Sequence, residues 1–200
     1  MGRKIAFDRD EALAAALKAF WLDGYDKTSL EDLLSAMKIK NSSFYNTFES
    51  KEALFLEAVQ SYRRGMGFHR LNLLRSTEVG GKEALLQYFD HLIFRDGARD
   101  GLPPGCFMMK TAATLLDPTS KVGHEVATSI ANLEKGFGTA LERGIQNRDF
   151  PPTLDVESMS RLLLSTAYGL SILARTKKSR NELLATAHYL INSLSLKRGV

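Results

Sequence analysis

Apolar residues recur at three- and four-residue intervals along almost the whole chain, the spacing of one face of an α-helix. Between Asp8 and Leu22 the residues Leu13, Ala16, Leu17, Phe20 and Trp21 form such a face. Asp8 and Glu11 suit its start, and Gly24 lies just past its end. Thr28 is expected to cap a second helix, with Glu31 reaching back, above a short face of Leu30, Leu33, Leu34 and Met37. Lys38-Ile39-Lys40 is long enough only for a turn. Asn41 is then expected to cap a very short helix carrying Phe44, Tyr45 and Phe48. Ser50 opens a fourth, with Leu54, Phe55, Ala58, Val59 and Tyr62 as its stripe.

Beyond that point the rhythm lengthens. Gly65 and Gly67 interrupt the fourth helix, either ending it or making a soft joint; each glycine costs a helix about 1 kcal/mol relative to alanine. Gly80-Gly81 breaks the chain before a helix over roughly Lys82–Arg99, and Asp100–Pro104 reads as a loop. A further segment runs from near Pro104 to Leu116, and Asp117-Pro118 reads as a cap with proline at the first helical position of a helix toward Gly144. Pro151-Pro152 is a stop. Two helices follow, about Asp155–Thr176 and Ser179–Leu196, the last opened by a Ser179–Glu182 capping box. No alternating strand pattern intervenes, so the spacing predicts an all-α protein of about nine helices.

Within that order, a short helix, a tight turn and a second short helix behind a longer first one make a helix-turn-helix reader. Phe44 and Phe48, four apart, would bury one side of the third helix against Leu30, Leu33, Leu34 and Ile39. Asn41, Ser42, Ser43, Tyr45, Asn46 and Thr47 are then left to face a groove. Short hydrogen-bonding side chains with one aromatic suit base edges, phosphates and a thymine methyl.

Composition removes other classes. Hydrophobic residues make up 44% and charged residues 25%, as in ordinary soluble domains. Cys106 is the only cysteine, which excludes an internal disulfide and a four-thiolate zinc site. His69, His91, His124 and His188 are scattered without metalloprotease spacing, and no nucleophile elbow or phosphate loop appears. The expectation is therefore no enzyme, no metal and no cofactor. The apolar stretch from Leu162 to Ala174 is too short and too polar to cross a bilayer, and Met1 to Asp10 lacks a signal-type apolar run. A cytoplasmic protein with no membrane partner is expected. The net charge of +4 does not locate a nucleic-acid site. Residues 1–52 hold 8 basic and 9 acidic side chains, giving −1, while residues 53–200 hold 19 and 14, giving +5. Local placement matters more: Arg3 and Lys4 on an N-terminal arm, Lys38 and Lys40 at the turn, and Lys51 at a helix start.

Thr28-Ser29-Leu30-Glu31-Asp32-Leu33, followed by Ile39-Lys40-Asn41-Ser42-Ser43-Phe44-Tyr45-Asn46-Thr47-Phe48-Glu49-Ser50-Lys51-Glu52-Ala53-Leu54, resembles the DNA-binding domain of TetR-type transcriptional regulators. Members commonly carry Lys or Arg then Gly where this chain has Asn41 and Ser42, which changes the operator read and removes one phosphate contact. The resemblance implies a three-helix DNA-binding domain over residues 1–52 and a helical ligand-sensing and dimerisation domain over 53–200. It implies phosphate contacts from Thr28 and Tyr45, backbone anchoring by Lys51, and base or near-base contacts from Lys40, Asn41, Ser42, Ser43 and Asn46. The partners implied are double-stranded operator DNA, a small-molecule effector and a second copy of the chain. The function implied is a repressor released from its operator by that small molecule.

For the larger domain, periodicity supplies candidates. Met159, Leu163 and Leu170 pair with Leu183, Leu190 and Leu194 as a two-helix face that would form a four-helix interface in a homodimer. Phe89, Phe94, Met109 and Tyr168, with Cys106, are candidates for an effector pocket, against a plain-core alternative. Cys106 is expected in the first turn of a helix, where thiolate is favoured. By resemblance it could sense oxidants or electrophiles; the other reading is a small buried hydrophobe. A helical protein-interaction module, with Phe44–Phe48 as a groove anchor, is the alternative from a different class.

Overall fold

A computed structural model describes residues 7–93 and 101–195. Those residues form helices and no strand. The N-terminal part comprises α1 (Arg9–Asp23), α2 (Leu30–Met37) and α3 (Asn41–Phe48). α4 (Lys51–Tyr62) passes through a π-helical turn (Arg63–Gly67) into α5 (Phe68–Arg75). The body then continues with α6 (Gly81–Leu92), α7 (Phe107–Thr114), α8 (Lys121–Gln146), α9 (Val156–Leu173) and α10 (Arg180–Ser193). Because α4, the π turn and α5 form one unbroken rod with helical dihedrals at both joints, the described residues make nine rods.

Several boundaries fall where the side chains require. Asp8 accepts from the amides of Asp10 and Glu11, Ser50 from Ala53 and Asp155 from Ser158, while Ser179 and Glu182 form the expected box. Three assignments shift. Ser29 caps α2, with Asp32 as the reciprocal partner, because Thr28 is turned inward. Lys40 is the boundary residue of α3 and makes no side-chain cap, so Asn41 is its first helical residue. Asp117 accepts from the Thr119 amide and hydroxyl in a turn, and Ser120 caps α8. Pro118 therefore sits in that turn, outside the helix. The helix expected over Lys82–Arg99 is described only through Leu92, and Phe94, Arg3 and Lys4 lie outside the described residues.

One core runs through the molecule. Phe20, Phe44, Phe48 and Leu54 are fully buried at the N-terminal end, and Tyr88, Phe89, Phe137 and Phe150 in the body. Between them Trp21 and Phe107 pack on Tyr62, with ring centroids 5.3 and 5.6 Å away. α6 lies so close to α8 that a methyl on Gly81 would overlap the Ala140 carbonyl and the Gly144 backbone.

Part of the face expected to meet a second copy points into the chain's own core. Leu163, Leu170 and Leu183 are buried in the chain's own core, and Met159, Leu190 and Leu194 are half-buried against it. α9 is apolar on more than one side, so periodicity found its inward stripe; Leu162, Ile172 and Leu173 face outward, as does Tyr189 of α10.

Candidate nucleic-acid interface and effector cavity

The reading surface is built on two buried rings. Phe44 and Phe48 seat α3, and the exposed Tyr45 packs edge-on against Phe44 at 5.2 Å. Lys40, Asn41, Ser42 and Asn46 are exposed and Ser43 half-buried, all on or beside α3. Lys38 ends α2 in the left-handed region at φ 54°, which makes the sharp turn into α3. α3 itself carries no charged side chain. Lys51, in the first turn of α4, holds its ammonium 4.4 Å from the Tyr25 ring centroid, a cation–π contact. Free α4 amides beside it favour an anion. Tyr25, which the spacing did not single out, thus shares this edge of the surface; burial and nearby Glu52 hold its phenol protonated.

Thr28 does not belong to that surface. It is 1% exposed and its hydroxyl donates to the Gly24 carbonyl at 2.6 Å, so it closes the α1–α2 turn and offers nothing to a phosphate.

Arg9 fixes the head to the rod. Its Nη2 donates to both carboxylate oxygens of Glu57, at 2.7 and 3.0 Å, while the guanidinium lies 5.0 Å from the Phe48 ring centroid. Lys110 of α7 and Arg175, just past α9, both donate to the carbonyls of Trp21 and Leu22. They supply cations to the C-terminal end of α1, which has none of its own in its last turn.

In the body, a cavity of about 300 Å³ lies between the π turn, α5, α7, α8 and α9. Cys106, Met109 and Tyr168 line it, as the spacing suggested. Phe89 does not: it is fully buried in the core and stacks on Phe137 at 6.1 Å. Cys106 is the boundary residue of α7; its amide donates to Ser171 Oγ at 2.8 Å. Sequence reasoning missed Tyr62 and Arg70, both buried in the cavity wall. Arg70 donates to Tyr62 Oη at 2.9 Å and to the His91 carbonyl at 3.1 Å. Guanidinium has only donors, so the Tyr62 oxygen accepts there and its own hydrogen is free for Cys106 Sγ at 3.0 Å. Burial holds the Tyr62, Tyr88 and Tyr168 phenols protonated. Among the described residues no group of three or more metal-ligating side chains occurs, and no helix is long and apolar enough to cross a membrane.

Residues 12–58 match the family described as bacterial regulatory proteins, tetR family, and residues 81–190 match the tetracyclin repressor-like C-terminal domain. The chain is 31% identical over 186 residues to the HTH-type transcriptional repressor ComR of Escherichia coli K12, covering 93% of this chain and 88% of that one. A solved structure of a cysteine-substituted TetR family regulator, CifR, complexed with 26-bp operator DNA superposes with a TM-score of 0.82 at 29% identity, covering 96% and 99%. The reduced form of E. coli NemR shares the fold, with a TM-score of 0.77 at 20% identity and coverage of 96% and 99%.

Proposed function

Because the chain belongs to the tetR family of bacterial regulatory proteins, DNA-binding transcriptional regulators and not enzymes, we propose that it is a cytoplasmic repressor released from its operator by a small molecule. Residues 1–52 serve as the reading head and residues 53–200 as the sensing and self-association body. A homodimer would bring together the outward Leu162, Ile172 and Leu173 of α9 and Tyr189 of α10 from two copies. Its heads would enter successive major grooves about 34–36 Å apart on a near-palindromic site. Lys40, Asn41, Ser42, Ser43 and Asn46 are assigned to base or near-base contacts, and Tyr45 and Lys51 to phosphates. ComR is a repressor and CifR was captured on operator DNA, which supports the reading.

The observation that carries the release mechanism is the single rod from Lys51 at the reading surface to Arg63, Arg64 and Gly67 in the cavity wall. Its π turn is the point where a ligand meets it, and such insertions mark places where a helix can change register. An occupant that prefers one setting of the turn shifts the rod, and with it the spacing of the two heads. Emptying an occupied operator requires a preference of several kcal/mol between the two settings. A gel-shift assay on the protein's own upstream DNA tests the reading. Sequence-selective retardation of a duplex, reversed by a small molecule, is expected; binding no tighter to that duplex than to random DNA sinks it.

A second reading rests on the hydrogen-bond chain Arg70–Tyr62–Cys106, which sets the Tyr62 hydroxyl beside the thiol sulfur in the same cavity. In it, Sγ adds across the activated carbon–carbon double bond of an electrophile: the π bond breaks, a sulfur–carbon bond forms and the thiol hydrogen passes to the neighbouring carbon. N-ethylmaleimide should then release DNA from the wild type and leave Cys106→Ser bound; equal release from both contradicts it.

A further inference from the structure

The effector cavity proposed above has a charge imbalance its neighbours do not correct. Among the described residues its wall carries four arginines, Arg63, Arg64, Arg70 and Arg75, and no aspartate or glutamate. Arg63 is paired to Glu125 at 3.0 Å, with that carboxylate outside the wall. Arg70 differs: it is 8% exposed and its hydrogen bonds go to neutral oxygens, the Tyr62 phenol and the His91 and Gly105 carbonyls. A buried guanidinium cannot shed its proton, and a charge taken out of water costs stability unless a counter-ion meets it. No carboxylate meets this one among the described residues. A second, independent feature points the same way. The Tyr168 hydroxyl is buried in the same wall and has no hydrogen-bond partner in the described structure. An unpaired buried hydroxyl is uncommon in folded proteins unless something absent satisfies it.

We infer that the cavity takes a small organic monocarboxylate, its carboxylate held by Arg70 and Tyr168 and its apolar body laid against Met108, Met109, Ile130 and Leu133. One uncompensated guanidinium matches one negative charge, and its planar fork matches the two oxygens of a carboxylate. The aliphatic and thioether side chains of the wall favour an anion that also carries a hydrocarbon body. The exposed Arg64 and Arg75 stand in the same wall and would draw an anion inward. The basic excess of residues 53–200, which did not mark the DNA surface, therefore has part of its use here. This inference rests on the reading of the cavity as the effector site.

Matched acid and amide pairs test it: octanoate with octanamide, and phenylacetate with phenylacetamide, titrated calorimetrically into the full-length protein at neutral pH. At least one acid should bind at least tenfold tighter than its amide. Arg70→Met should remove that preference, and Tyr168→Phe, which deletes only the unpartnered oxygen, should weaken the acid several-fold without lowering Tm. Equal affinity for acid and amide, no binding of any acid at millimolar concentration, or acid binding unaffected in both Arg70→Met and Tyr168→Phe would overturn the inference. Should Arg70→Met fail to fold, Tyr168→Phe decides alone. Fluorescence anisotropy on labelled upstream duplex separates the two levels. An acid that binds through Arg70 yet leaves DNA bound supports the site and contradicts control of the operator by it.

Discussion

The ammonium of Lys110 lies 2.7 Å from the carbonyl of Leu22. That bond joins α7, whose first turn forms part of the cavity wall, to the end of the first helix of the reading head. Arg175 donates to the same carbonyl at 3.0 Å, so two cations from the body hold one helix end. Desolvation and the neighbouring Arg175 pull the Lys110 pKa down, as expected where two cations share one acceptor group. Lys110→Met keeps the aliphatic stem and removes the bonds to both the Trp21 and Leu22 carbonyls. It is expected to cost about 1 kcal/mol, a Tm lower by about 2–4 °C. Operator affinity should stay near wild type while the effector concentration needed for release changes several-fold.

The cluster of Trp21, Tyr62 and Phe107 is the apolar counterpart of that link. Phe107→Ala empties a fully buried site and is expected to lower stability by about 3–5 kcal/mol, read from the denaturation midpoint. Trp21 is the chain's single tryptophan, so its emission reports this junction without labelling. A red shift should accompany the loss, as water reaches the indole.

Gly65 and Gly67 make opposite demands although both sit in the π turn. A methyl at Gly65 meets nothing within 4 Å, whereas one at Gly67 approaches the Tyr62 carbonyl at 3.3 Å. Gly65→Ala should therefore stabilise by up to about 1 kcal/mol through reduced freedom of the unfolded chain. It should also stiffen the turn, so that more effector is needed for release. Thermal melting and anisotropy titration of the same variant check both.

Carboxylates at helix starts and in the turn before α8 set the acid limb of stability. Hydrogen bonds from Ser29, Thr119 and Ser158 hold Asp32, Asp117 and Asp155 below the usual range, and the Ser179 amide and hydroxyl bring Glu182 to about 2. Each folded pKa lies below its unfolded value, so the contribution is complete above about pH 4–5 and is lost as pH falls toward the folded values. Tm measured from pH 7 to 2 should be flat in its upper part and decline below about 4.5. Glu182→Gln should show a shallower decline, having no carboxylate to protonate there.

How much of this was legible beforehand varied with the physics. The starts of α1, α4, α9 and α10 were readable because one capable side chain stands at each. The starts of α2 and α8 were displaced because Thr28-Ser29 and Asp117 to Ser120 each crowd several capable side chains into one boundary. The solvent-facing residues of α3 followed from two phenylalanines four apart. Arg70 was invisible: among His69, Leu71 and Asn72 it reads as one more polar surface residue, and only the packing of α5, α6 and α7 encloses it. Leu163, Leu170 and Leu183 turn inward for a related reason, since an apolar stripe does not say whether its own chain or another covers it. Cys106 was placed at a helix start by Pro103-Pro104 and lies there.

Reading of DNA by α3 is the central claim, and the double variant Tyr45→Ala, Lys51→Ala tests it most directly. Both side chains sit outside the core, so folding and self-association should survive, as checked by circular dichroism and sedimentation. Binding to the protein's own upstream duplex, followed by anisotropy at fixed salt, should fall at least tenfold from the wild type. The wild type itself should show a modest salt slope, equivalent to a handful of phosphates per subunit. Undiminished affinity in the folded double variant would contradict the account.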